Sequence, residues 1–136
     1  MIVDLHCHST DSDGTLTALE LIEKAKNSQI KYFAITDHDN INCQKNAVEL
    51  AKEHELNYIT GVEISCDFNQ MLDILGFGID IENKELNNVL NEIQDFRITR
   101  NHKMIEKLNS IDININFSDV SNEAGSDIIG RPHFAK

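Results

Sequence analysis

Ile2-Val3-Asp4-Leu5-His6-Cys7-His8-Ser9 opens the chain with a β-branched run that ends on two histidines. The run reads as a first strand. Alternation along a strand sends His6 and His8 to one face and Cys7 to the other, where it packs inward as a small hydrophobe. The same layout recurs twice. Lys31 to Thr36 (KYFAIT) reads as a second strand ending in Asp37-His38-Asp39-Asn40, and Asn57 to Ser65 (NYITGVEIS) as a third, with Glu63 near its end. Ser9 to Gly14 is polar and forms a loop that carries Asp13 just beyond the first strand.

Helical patterns lie between these strands. Thr17-Ala18-Leu19-Glu20 is a capping box, and Leu19, Leu21, Ile22 and Ala25 follow at helical spacing to about Asn27. A second helix is predicted from about Ile41 to Glu53, and Met71 to Ile79 reads as a fourth strand with Gly76 and Gly78 inside it. Strand, helix, strand, helix, strand specifies an α/β fold with a parallel sheet. Right-handed crossovers then place the strand C-terminal ends on one side. After Asp80 the character changes. Residues 83–109 read as one long charged helix with Leu86, Val89, Leu90, Ile93, Phe96, Ile105 and Leu108 as its inner stripe. Ile111 to Phe117 is irregular, Ser118 to Glu123 a short helix, and Ala124 to Gly130 a loop.

Composition narrows the function classes. The 136 residues suit one domain or part of one, and 40% are apolar, enough for a core. With 12 Lys+Arg against 23 Asp+Glu the net charge is −11, which argues against a broad nucleic-acid-binding face but leaves room for a local site where metal ions reverse the field. No apolar run approaches the roughly 20 residues of a membrane span. The N-terminus is acidic within four residues and lacks the basic region of a secretory signal. Three cysteines without a CxxC pair give no disulfide framework, so a cytoplasmic location is expected.

His6, His8, Asp13, His38 and Glu63 fall at the ends of successive strands, where side chains of a parallel sheet converge on one pocket. Imidazole and carboxylate without organised thiolate suits Zn, Mn or Fe, with several ions where carboxylates bridge. Ions about 3.5–4 Å apart clamp a phosphoryl group and ionise water near neutral pH. Each motif by itself is weak, and any one histidine is as readily a packed or solvated ring. Their joint occurrence at three consecutive strand ends argues for one site.

Six motifs then occur in a recognisable order: Asp4-Leu5-His6-Cys7-His8-Ser9, Ser12-Asp13-Gly14, Ile35-Thr36-Asp37-His38-Asp39, Gly61-Val62-Glu63-Ile64-Ser65, Ile74-Leu75-Gly76 and Gly130-Arg131-Pro132-His133. This set resembles the PHP (polymerase and histidinol phosphatase) family, in particular the branch acting on nucleotides: bisphosphate and AMP-type phosphatases and a 5′→3′ ribonuclease. The resemblance implies a distorted seven-stranded (β/α) barrel with a trinuclear centre of Mn, Zn or Fe. It makes His6, His8, Asp13, His38 and Glu63 metal ligands, with Glu63 bridging two ions. The family has a histidine where this chain has Asp73, which either ligates in its place or lies on the surface. Arg97, Arg100, Arg131 and His133 match positions that bind substrate phosphate. The alternative leaves Arg97 and Arg100 on a solvated helix face.

Family members run about twice as long, and their later ligand motifs have no counterpart here: beyond His38 the histidines are His54, His102 and His133. The resemblance therefore implies the first half of the barrel over residues 1–80 and the start of a helical insertion over 81–136. Such a piece is expected to hold metal incompletely and to turn over little, unless a second copy completes it as a homo-oligomer. The implied function is metal-dependent hydrolysis of a nucleotide phosphate or of an RNA 5′ end. The alternatives are a non-catalytic binding or assembly module and, within the same chemistry, a histidinol-phosphate phosphatase.

Overall fold

A computed structural model describes residues 1–66, 72–124 and 128–135. β1 (Ile2–Asp4), β2 (Ile30–Phe33) and β3 (Asn57–Tyr58) form a parallel sheet in that order. α1 (Ala18–Asn27) and α2 (Gln44–Glu53) are its crossovers. Thr17 caps α1 as the sequence predicts: its Oγ accepts the Glu20 amide, and the Glu20 carboxylate accepts the Thr17 amide at 2.8 Å. The apolar stripe of α1 (Ala18, Leu21, Ile22, Ala25) meets Phe33, Ile35, Ala47 and Ala51 in the main core. Cys7 packs against this core, as its place in the strand alternation predicts.

The third predicted strand is broken in two. β4 (Gly61–Cys66) follows β3 after a step at Ile59 and Thr60, and its parallel contact passes from β2 to the segment beyond it through the His38–Glu63 bridge. The Gln44 side chain, fully buried, bridges the step. Its amide donates to the Ile35 carbonyl at 2.9 Å, while its oxygen accepts the Gly61 amide at 3.2 Å and the Tyr58 hydroxyl at 2.9 Å. Gly61 is required here, because a Cβ would stand 2.8 Å from the Thr36 methyl and 3.0 Å from the Ile35 oxygen.

β5 (Leu72–Phe77) pairs antiparallel with β4, from Gly61 against Phe77 to Cys66 against Leu72. The convergence of strand ends expected of every strand thus holds for β1 to β4 and fails for β5, since the short connection admits a hairpin and no crossover. Met71 and residues 125–127 of the expected loop lie outside the described residues.

α3 (Lys84–Asn109) corrects its predicted inner stripe. Phe96 is 73% exposed and Val89 44%, whereas Leu90, Arg97, Asn101 and Ile105 are buried. The helix packs partly on polar groups, so Arg97 and Asn101 take inward positions that the apolar pattern assigns elsewhere. Leu90 joins Ile41 and Val62 in a second small core. α4 (Phe117–Ala124) and a short turn at Arg131–Phe134 follow. No described helix is long and apolar enough to cross a membrane.

Candidate active site

The first loop is closed by glycine. A Cβ on Gly14 would lie 2.1 Å from the His8 carbonyl oxygen, so only glycine lets the loop fold back onto the strand end. Asp37, fully buried, holds the loop down: it accepts the Ser9 amide at 2.7 Å, the Ser9 and Ser12 hydroxyls at 2.6 Å each, and the Cys43 thiol at 3.2 Å. Burial and the adjacent Asp37 charge push the Cys43 thiol well above its ordinary pKa, in keeping with a donating S–H.

With the loop fixed, the histidines converge on Glu63. Its Oε2 lies 3.1 Å from His6 Nε2, 3.0 Å from His8 Nε2 and 3.5 Å from His38 Nδ1. Asp13 stands on the far side, 3.4 Å from His8 and 3.7 Å from His38. Three overlapping donor sets result: His6, His8 and Glu63; His8, Asp13 and His38; and His38, Glu63 and Asp73. Within each set the ligand atoms lie within 4.8 Å of one another. Burial, and next the neighbouring His38, lower the pKa of His8, which keeps a lone pair available. The donors fit divalent cations on one further observation: His38 Nδ1 is buried with no hydrogen-bond partner, although buried polar atoms ordinarily have one.

Opposite these groups stand arginines. A cleft of about 390 Å³ is lined by His6, His8, Asp13, His38, Glu63 and Asp73 on one side and by Arg97, Arg100 and Arg131 on the other. Arg97 is buried, its Nε donating to Asp39 at 2.5 Å and its Nη2 to Ser65 at 2.8 Å, so the reading of it as solvated decoration fails. Arg100 donates to the Asn101 amide oxygen at 2.9 Å. Burial, followed by the Arg97 and Arg131 charges, lowers its pKa. His133 is also buried but does not line the cleft; its Nδ1 accepts the Gly130 amide at 3.0 Å.

The sequence reading missed Asp37, Asp39 and Ser65. Alternation was the available signal: in Asp37-His38-Asp39 it turns both carboxylates away from the histidine and into the protein.

The PHP domain profile matches residues 4–121. The chain belongs to the PHP domain family. It is 33% identical to a 5′-3′ exoribonuclease of Haemophilus influenzae, over 98% of this chain and 48% of that protein. It is 32% identical to a 3′,5′-nucleoside bisphosphate phosphatase of Chromobacterium violaceum, again over 98% and 48%. A solved structure from Bifidobacterium adolescentis, described as a metal-dependent phosphoesterase, superposes on this PHP chain with a TM-score of 0.85 at 34% identity, covering 97% of this chain and 47% of that one. The chain spans about half the length of the curated relatives it matches.

Proposed function

We propose that this PHP chain carries the metal-holding half of a phosphoesterase whose substrates are phosphate esters of nucleotides, either mononucleotides or RNA 5′ ends. The observation behind this reading is the facing arrangement in one cleft of imidazoles and carboxylates against three arginines. His6, His8, Asp13, His38, Glu63 and Asp73 would hold up to three ions of Mn, Zn or Fe, with Glu63 shared because its Oε2 is the common neighbour of three imidazoles. Such ions supply Lewis acidity and a hydrolytic water ionised near neutral pH.

The remaining chemistry belongs to the chain. Arg97, Arg100 and Arg131 face the phosphate and offset its charge, Arg97 and Arg100 held in place through their Nε and Nη2 by Asp39, Ser65 and Asn101. Asp73 adds a carboxylate where the family resemblance implies an imidazole, which would move the third donor set toward harder ions such as Mn. Residues 1–80 are read as the opening part of a (β/α) barrel and 81–136 as the start of a helical insertion that brings the arginines to it.

Metal content of the chain and phosphate release from a nucleoside 3′,5′-bisphosphate test this together. Two or three ions per chain, and release that falls more than a hundredfold in His8→Ala with the fold kept, are expected; turnover unchanged in that variant overturns the reading.

A further inference from the structure

We propose that Asp39 is a positioning residue for His38: the ring of contacts it closes with Ser65 and Arg97 holds the His38 imidazole in the cleft. The inference rests on the reading of His38 as a metal-holding residue, and it starts from something His38 lacks. Metal-binding histidines are ordinarily aimed by a carboxylate or carbonyl that accepts the other ring N–H. Among the described residues the His38 ring makes no hydrogen bond: its Nδ1 is buried without a hydrogen-bond partner, and the carboxylates of Glu63 and Asp13 stand off at 3.5 and 3.7 Å. With the tilted His8 ring and these distant carboxylates around it, the imidazole depends on its main chain for its aim.

That main chain is pinned on both sides. The Asp39 amide donates to the Glu63 carbonyl at 2.8 Å, and the Glu63 amide donates to the Asp37 carbonyl at 3.1 Å. Asp39 itself takes a left-handed φ of 50°, a conformation that aspartate tolerates better than most residues but that needs support. The support is a closed ring. Asp39 Oδ1 accepts the Ser65 amide at 2.7 Å, Ser65 Oγ accepts Arg97 Nη2 at 2.8 Å, and Arg97 Nε returns to Asp39 Oδ2 at 2.5 Å. Gln94, on the same helix as Arg97, donates to the Asp39 carbonyl at 2.7 Å. β4, α3 and the His38 turn thus meet at one buried carboxylate. A buried ion pair contributes little net stability compared with apolar side chains of equal volume; what this one supplies is placement.

The test is Mn²⁺ titration of the chain, by calorimetry and EPR, in wild type and in Asp39→Asn/Arg97→Gln. The double change removes one negative and one positive charge, so the net charge is unchanged and a general electrostatic effect is removed from the comparison. Loss of positioning predicts a fall in Mn²⁺ affinity of about 10–100-fold with the fold intact. A folded double variant with wild-type Mn²⁺ affinity overturns the proposal. Should it not fold, Ser65→Ala opens the ring at one contact only, and a several-fold loss is expected; no loss is again decisive against. Imidazole NMR of the metal-free proteins separates this inference from the metal reading. If wild type binds no Mn²⁺, the metal reading fails, and a His38 resonance that moves in the variant while that of His54 stays still supports positioning. A His38 resonance that stays still refutes it.

Discussion

Replacing Gln44 by leucine asks how much the step between β3 and β4 depends on one side chain. The substitution keeps the volume and apolar fit of the first turn of α2 but leaves three buried groups without their partner: the Ile35 carbonyl, the Gly61 amide and the Tyr58 hydroxyl. Each stranded group costs about 1–3 kcal/mol. Relaxation and non-additivity bring the sum to about 3–6 kcal/mol. Domains of this kind are stable by about 5–15 kcal/mol, so the variant loses a large share of its reserve. With a urea slope of about 2 kcal/mol/M, the midpoint falls by about 1.5–3 M. Far-UV circular dichroism during urea titration reads this directly. Tyr58→Phe removes the hydroxyl that donates to the Gln44 oxygen and accepts the Ile35 amide at 3.4 Å, while the Gln44 oxygen keeps the Gly61 amide, and costs about 1 kcal/mol. Val48→Ala on the exposed face of the same helix stays within about 0.5 kcal/mol. A Gln44→Leu midpoint within about 0.5 M of wild type would mean that the strands reseal without the bridge, and the reasoning would be wrong.

Three further outcomes follow from the geometry. Glu20 is held below its ordinary pKa of 4.5 by the Thr17 amide and hydroxyl, so its cap contribution is present above about pH 4.5 and fades as pH falls through the lowered value; the stability gap to Glu20→Gln, measured by urea titration, should close over that acidic range. Burial, then the Asp4 charge, raises the Cys7 thiol to about 11, and Cys43 higher still; iodoacetamide at pH 8, mapped by mass spectrometry, should label half-buried Cys66 first and Cys43 only on unfolding. Mn²⁺ at a hundred times its dissociation constant should stabilise the chain by about 2.7 kcal/mol and raise its melting temperature by several degrees, a gain that EDTA reverses.

Local features were legible in the sequence. The capping box at Thr17 and Glu20 is complete within four residues, and α1 forms where it predicts. Period-two alternation placed His6 and His8 together, and the structure brings both to Glu63. Features that depend on distant partners were not legible. No pattern near Arg97 shows that its partner is Asp39, 58 residues earlier, and an amphipathicity argument that assumes an apolar neighbour turned Phe96 inward instead. The step at Ile59 and Thr60 carries no turn residue except Gly61, because Gln44 from another element does the work a turn would do. The direction of β5 resides in the length of its connection, not in its own residues.

The span between the groups that meet in the cleft sets an order of assembly. The β4–β5 hairpin closes over a few residues and can form within about 1–10 μs. His6 meets Glu63 across 57 residues, and the Asp39–Arg97 contact closes a loop of similar size, so both carry the larger entropic cost of long-range closure. The cleft is then expected to form last and to open first. Changes at His6, His8 or Glu63 should leave the refolding limb of a chevron almost unmoved and act on the unfolding limb. Mn²⁺ added in stopped-flow experiments should slow unfolding without hastening folding; ions would be captured by a finished cleft, with no part in building it.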